Sequence, residues 1–565
     1  MLPPETEDQK GAAAGLASET ADIGTRFTPG VPAPTMYAGA SHLLEAARDA
    51  SKCIFVPRGD LALGTLVPFK GRRAAGSRRM RSRRRKPDPA AGHDLEALFR
   101  PQSIAVVGAS ANERSQGYEF VQGLVEIGFP GPIYPVNPKL DELLGLKAYP
   151  RLEEIPGPVD FVISAVPASA ALEVVDGAKA KGTKLIHFFT ARFTETGRED
   201  AAELERELSR RIREAGIRVI GPNCMGLYYP KEKITFDPVL PREPGNVGFL
   251  TQSGSHAFRV IMRGKDRGLR FSKVISYGNA LDLNEADLLE HFAEDPDTEV
   301  IATYIEGLRD GRRFLDALRR AAARKPVVVL KGGRTAAGRV AAASHTAALA
   351  SQQAVWQAAV RQAGALEVGS LNELIDMVVA FSLAGPAKGP RVAVLGGAGG
   401  ETVETADICH EAGLDVAPLP QDIREALRDK MPHAWDWVGN PVDGSILGWG
   451  RFEALEVIQL MAASPAYDLI FANARGVEHM LNREDGEKIF WNAIDVLKRL
   501  GKENGKATVI VMGEPEFRDK RRWKAAMSAR EEFAKAGVAI YPDIERAARS
   551  MGRYVRYVAE RQEQQ

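Results

Sequence analysis

The stretch "GRTAAGRVAAASHTAALA", starting at Gly333, places His345 in a run of small residues, with two arginines just before it. The chain has only nine histidines. A neutral imidazole has a free nitrogen lone pair and is a competent nucleophile near neutral pH. A nucleophile that carries something large and charged needs open space, and nothing bulky in this run shields the ring. The alternative is a histidine that falls by chance on a solvent-facing helix start. "SHTAALA" reads as a turn followed by a helix start, where Thr346 and its small neighbours leave N-terminal amides uncovered. A phosphoryl group there would meet a favourable dipole, worth about 0.3–1 kcal/mol at a surface. The other ring nitrogen needs an acceptor to fix the tautomer. Glu306, ending the strand "ATYIEG", is placed by sheet logic to supply it.

Two further stretches suit anions. In "VVGASANERSQG", Gly108 to Gly117 form a glycine turn that opens a helix, offering free N–H groups and a positive dipole end. The G-x-G-x-x-G spacing is absent, so the reading stops at a nucleotide-like or phosphorylated ligand, with a purely structural turn as the alternative. Lys139 in "PVNPKLDELLG" is either a phosphate contact or an exposed lysine after a proline. In "FLTQSGSHAF", Ser253 and Gly254 follow a strand and start a helix, and a small hydroxyl with free amides makes an anion pocket. The neighbouring His256 reads as a helix-surface histidine rather than a second catalytic residue.

These residues need a scaffold. A chain of 565 residues is expected to form about three to five domains at roughly 100–200 residues each. Its hydrophobic (44%) and charged (26%) fractions are those of a soluble globular protein. A net charge of +1 makes no electrostatic case for nucleic acid or a membrane. Cys53, Cys224 and Cys409 fit neither a disulfide framework nor a metal-ligand spacing, which predicts a reducing, cytoplasmic setting and no metal site. Nothing reads as a transmembrane helix or a secretory signal. Residues 1–94 read as an Ala/Gly/Pro-rich tail ending in "GRRAAGSRRMRSRRRKPDPAAG". That cluster is a basic arm or, the favoured reading, a disordered tail or sequence upstream of a start at Met36 or Met80.

From "SIAVVG" onward, apolar β-branched strands alternate with helical patterns, which predicts an α/β fold of parallel sheets. Three series are expected: 95–230, 240–385 carrying His345, and 390–560 after the linker "AGPAKGP". Ligands of open parallel sheets sit at the carboxyl ends of strands, which is where Gly108, Ser253–Gly254 and Gly396–Gly400 fall.

In order, "SIAVVGAS", "PIYPVNPK", "RVIGPNCMGLYYP", "FLTQSG", "EADLLEHFAEDPDTEVIATYIEG", "PVVVLKGGRTAAG" and "ASHTAALA" resemble the α subunit of ADP-forming acetate–CoA ligase and its relative succinyl–CoA synthetase, the NDP-forming acyl-CoA synthetases. The resemblance implies a Rossmann-like CoA-binding domain followed by two flavodoxin-like domains. It implies that phosphate attacks an acyl-CoA, that the phosphoryl group of the acyl phosphate moves to a histidine, and that ADP then takes it. His345 matches that histidine and Glu306 the glutamate that orients it. Ser253 and Gly254 match the turn whose helix dipole faces it. Gly108, Ala109, Ser110, Gly117, Lys139, Val166 and Pro167 match the CoA site. No segment resembles the ATP-grasp domain. ATP/ADP and Mg²⁺ are therefore expected through a separate ATP-grasp β subunit, in an α2β2 assembly acting on a small carboxylic acid or its acyl-CoA. Three features depart from the family: Ala347 follows "SHT" in place of glycine, "SHAFRV" follows "QSG", and "HFFTARFTETG" stands at the family's "AGF" segment. Phe188, Phe189 and Arg192 there imply a substrate other than acetate, the alternative being a non-catalytic CoA-binding paralogue that acts as a sensor or scaffold.

Overall fold

The computed structural model of the chain describes residues 95–346, 353–447, 453–475, 477–513 and 519–563, with the main chain alone at 343–346 and 446–447. The arginine cluster, Cys53 and Ala347 lie outside the described residues.

Among the described residues, the strand–helix alternation folds as an α/β arrangement of three larger sheets in sequence, together with a two-stranded antiparallel ribbon over 142–147. β1 (Ile104–Val107), β2 (Ile133–Val136), β3 (Phe161–Ser164), β4 (Leu185–Phe188) and β5 (Arg218–Ile220) form the first, in the order β2-β1-β3-β4-β5. All its pairings are parallel. β6 (Gly226–Tyr228), β7 (Pro244–Thr251), β8 (Phe271–Ser276), β9 (Val300–Ile305), β10 (Val327–Lys331) and β11 (Leu366–Val368) form the second, in the order β11-β10-β9-β7-β8-β6. Only β6 runs antiparallel there, against β8. β12 (Val392–Leu395), β13 (Leu469–Asn473), β14 (Ala507–Val511) and β15 (Ala539–Tyr541) form the third, parallel and in chain order. Strands such as "VVVLK" are buried on both faces, as a parallel sheet covered by helices requires.

In the first two sheets the winding reverses, at β1/β3 and at β7/β9, and each reversal leaves a crevice beyond the carboxyl ends of the strands. Among the covering helices are α1 (Gln116–Ile127), α2 (Gly254–Lys265), α3 (Ala336–Thr346), α4 (Leu371–Leu383), α5 (Gly399–Glu411) and α6 (Ile544–Glu563), of which α1 and α2 start beside the crevices. α6 returns from the third sheet to pack on α4. Asp376 of α4 is buried there between two guanidinium groups. It accepts from Arg546 Nε at 2.7 Å and Nη2 at 2.8 Å, and from Arg267 Nη1. Arg267 also donates to the Ile540 carbonyl at 2.8 Å and lies over the Tyr541 ring at 4.6 Å.

His187 of β4 is buried, with Nε2 3.0 Å from the Cys224 carbonyl. A Cβ at Gly226 would come within 2.5 Å of its ring, so the imidazole is tightly enclosed. Burial pushes its pKa down to about 4. The unfolded imidazole protonates near 6.5 and the folded one does not. The stability tied to the neutral ring is therefore full above about pH 6.5 and is lost as pH falls toward 4, by at most about 1.4 kcal/mol per pH unit. A ring-proton NMR titration is expected to show no His187 transition between about pH 8 and about pH 5, and a midpoint near 6.5 would contradict the burial argument. Burial also pushes the Cys224 thiol well above its ordinary range and the Cys409 thiol up to about 12, so neither is a thiolate near neutrality. Among the described residues no helix is long and apolar enough to cross a membrane.

Candidate functional site

The first crevice collects the residues expected to hold CoA. β1 ends at Val107, level with Val136 of β2 and Ser164 of β3, so the turns after all three strands share one sheet edge. Gly108 turns the chain with φ +89°, and a Cβ there would lie 2.9 Å from the Ala165 carbonyl. Only glycine combines that backbone with that approach. Gly117, in the first turn of α1, is needed for another reason: its Cβ would fall 2.1 Å from the Gly108 carbonyl oxygen. The helix is thereby seated directly on the turn. It starts later than the glycine turn suggests, at Gln116, with Ser115 as the N-cap accepting from Tyr118 N. Between the two, Ala109 is buried and its carbonyl accepts from Asn137 Nδ2 at 2.6 Å, while Ser110 Oγ accepts from Asn112 N at 3.1 Å. Asn137 Oδ1 also receives Lys139 N at 2.8 Å, which leaves the Lys139 side chain exposed beside the edge. Val166 and Pro167 complete the edge after β3, and the Val166 carbonyl accepts from Thr190 Oγ1 at 2.7 Å.

The second crevice collects the expected phosphoryl-handling residues. Ser253 caps α2, accepting from His256 N at 3.3 Å. Its hydroxyl also lies 3.0 Å from His256 Nδ1 and 3.1 Å from Ser255 Oγ. Gly254 is set by packing rather than by backbone freedom, because a Cβ would meet the Met225 side chain at 2.6 Å. Glu306 follows β9 directly and is buried. Its N–H and that of Gly307 both donate to Gln252 Oε1, the latter at 3.0 Å, which ties the ends of β7 and β9 across the reversal. The Tyr304 hydroxyl is hydrogen-bonded to Glu306, and burial with that carboxylate's charge pushes the phenol well above its usual range. The Lys331 ammonium donates to the Glu306 carbonyl at 2.6 Å and the Gly332 carbonyl at 2.5 Å, and burial lowers its pKa. A Cβ at Gly332 would strike the Tyr304 hydroxyl at 2.7 Å, which explains the first glycine of "KGGRT".

His256 departs from its surface reading. Its ring is half-buried and stacked on Tyr304, with centroids 4.3 Å apart. The signal was its position three residues after the cap, which turns an N-terminal side chain back toward the capping hydroxyl. Gln252, Tyr304 and Lys331 carried no separate sequence signal, because each reads as an ordinary strand-end residue.

The helix start expected at "SHTAALA" is corrected. α3 is helical from Ala336 through Thr346, so His345 and Thr346 lie about ten residues inside a helix rather than at a turn before one. The reason is propensity and capping. "AAGRVAAAS" is rich in alanine, the best helix former, and Thr335 Oγ1 receives Gly338 N at 3.0 Å at the front. The free amides of a helix lie in its first turn, which here is at Ala336, so Thr346 does not offer them to an anion. Among the described residues of this crevice, α2 presents a helix N-terminus, capped by Ser253.

The two crevices meet. Past β5, the Gly221 and Pro222 carbonyls accept from Leu281 N at 2.9 Å and Asn279 N at 3.0 Å, in the loop past β8. The loop after β4 closes the gap. Asn223 N donates to the Thr190 carbonyl at 2.8 Å, Glu195 accepts from Asn279 Nδ2 at 2.8 Å, and α3 lies against Thr194–Thr196. The helix bearing His345 thus rests on a loop anchored to the Val166 turn. Among the described residues no group of His, Cys, Asp or Glu is arranged to hold a metal.

Known proteins share this arrangement. A CoA binding domain family matches residues 102–230, and a succinyl-CoA ligase-like flavodoxin domain family matches 244–381. The chain is 38% identical over 378 residues to the α subunit of ADP-forming acetate–CoA ligase II from Pyrococcus furiosus, covering 67% of this chain and 82% of that protein. It is 35% identical to ADP-forming acetate–CoA ligase II of Archaeoglobus fulgidus, covering 67% of this chain and spanning only 57% of that longer protein. The fold matches a dinucleotide-forming acetyl-coenzyme A synthetase 1 from Ca. Korarchaeum cryptofilum, solved with phosphate and ADP, with a TM-score of 0.69 and 32% identity over 83% of this chain and 98% of that one. With two domain families matched in order over paired sheet crevices, the chain belongs to the family of ADP-forming acetate–CoA ligase α subunits.

Proposed function

We propose that this α-type chain interconverts acid, CoA and ATP with acyl-CoA, ADP and phosphate, and that the two joined crevices are its reaction path. The meeting of the Val166 turn and α3 at the loop after β4 carries this reading, because it lets a thioester held at the first crevice reach His345 at the second. CoA fits the first edge. The absence of a Cβ at Gly108 and Gly117 lets the N-terminal turn of α1 seat directly against the turn after β1, and Lys139 adds a cation at the rim.

In the acyl-CoA-consuming direction, a phosphate oxygen bonds to the thioester carbonyl carbon and the C–S bond breaks toward sulfur. A nitrogen of His345 then takes the phosphoryl group and releases the carboxylate. Glu306 accepts the N–H of the other nitrogen and so keeps the attacking lone pair pointed outward. Ser253 and Gly254 present the amide end of α2 to the transferred charge. ADP would receive the phosphoryl group on an ATP-grasp β partner in an α2β2 assembly, with Mg²⁺ entering beside the nucleotide to neutralise charge.

The test is chemical. The chain, isolated with whatever partner accompanies it, is exposed to ATP and Mg²⁺, and the peptide containing His345 is assayed for acid-labile, base-stable phosphate. Phosphate on His345 is the expected result. A bound ATP-grasp partner with no phosphate on that peptide would overturn the phosphoryl relay.

A further inference from the structure

We infer that Arg192 is an oxyanion-binding residue at the acyl end of this path, contacting either the phosphate that attacks the thioester or a second carboxylate on the acid itself. The inference rests on the proposed reaction.

Arg192 adopts φ +80°, a left-handed backbone that disfavours side chains bulkier than glycine. A strained non-glycine residue persists only where its surroundings over-determine it. Here Glu195 does so: its carboxylate accepts from Arg192 N and, at 3.1 Å, from Phe193 N, while holding Asn279 Nδ2 at 2.8 Å. One carboxylate therefore fixes the strained turn and fastens it to the second sheet. The Arg192 side chain is exposed, and it pairs with no carboxylate among the described residues.

Its chain neighbours tie it to both crevices. Thr190, two residues earlier, holds the Val166 carbonyl. Thr194, two residues later, begins the turn on which α3 rests. Three cations at the strand ends of the second sheet already donate to carbonyls. Lys331 donates to the Glu306 and Gly332 carbonyls, Arg309 Nη2 to the Asn279 carbonyl at 2.6 Å, and Arg334 Nη2 to the Gly369 carbonyl. Arg192 keeps its planar fork of donors, the geometry that grips a carboxylate or phosphate through two parallel bonds. When the phosphate oxygen bonds to the carbonyl carbon, the C–S electron pair leaves on sulfur and CoA takes up a proton. A guanidinium beside that carbon offsets the charge of the approaching phosphate, or anchors the far end of a dianionic acid.

The experiment compares wild type with Arg192→Gly and Arg192→Asn in the full chain with its partner, using acetyl-CoA and succinyl-CoA with inorganic phosphate. Both replacements tolerate the left-handed backbone, so melting temperature and CoA affinity should not fall. If the bound oxyanion is phosphate, its KM rises at least tenfold with both acyl-CoAs. If it is the acid's second carboxylate, only the succinyl-CoA KM rises, by at least tenfold. Wild-type KM values for all three substrates in both variants would overturn the inference while leaving the reaction intact. A wild-type chain that never carries phosphate at His345 would remove the proposed reaction and the inference together.

Discussion

With alanine at position 345, the chain is expected to bind CoA as the wild type does and to lose ligase turnover by at least about 10³-fold, because a covalent carrier has no substitute in the relay. The loss should be confined to chemistry. α3 is an alanine-rich helix, and alanine is the strongest helix former, so His345→Ala does not weaken the element that bears it. The proposed CoA edge, from Gly108 to Pro167, belongs to another sheet and is untouched. Calorimetry with CoA and a steady-state assay on the same preparation check both halves. Turnover within tenfold of wild type would show that the phosphoryl group travels by another residue.

The second large effect is structural. Asp376→Ala leaves the buried Arg267 and the half-buried Arg546 facing each other without their shared carboxylate. Removing one partner from a buried ion network costs about 3–5 kcal/mol, far more than the network contributes over an apolar replacement. The penalty falls between α4 and the third sheet, since Arg267 reaches the Ile540 carbonyl and Tyr541 donates to the Asp376 carbonyl at 2.7 Å. Urea unfolding is expected to show a markedly lower midpoint, with limited proteolysis first cutting near α6. The triple replacement of Arg267, Asp376 and Arg546 by apolar residues of similar volume should recover much of the loss, since it removes the buried charges along with their pairing. An unchanged midpoint in Asp376→Ala would mean that water, not protein, solvates this cluster.

Where the candidate site lies in the fold was legible in the sequence. Strands that end at Gly108, at Ser253 and at Glu306 announce themselves by β-branched runs broken by glycine or a small residue, and a parallel sheet brings such ends to one edge. The helix around His345 was not. Its boundary depends on Thr335 capping ten residues earlier and on alanine propensity outweighing a Ser-His-Thr sequence that looks like a turn. Nor were the cross-strand ties legible. Gln252 holding Glu306, or Glu195 holding Asn279, are contacts between residues far apart in sequence whose side chains carry no periodicity. His256 and Arg192 sit between these cases. Their positions were visible, but the stacking on Tyr304 and the left-handed backbone come only from tertiary packing.

β6 lies within the stretch matched by the CoA-binding family, yet its three residues form the outer strand of the second sheet, against β8. A recombination event that moved the CoA-binding module into another gene by cutting after Pro230 would carry that strand away. It would leave the N–H and C=O groups of β8 open to pairing with any extended chain, a template for aggregation. A transfer of this module that keeps β8 covered therefore needs its breakpoint before Gly226.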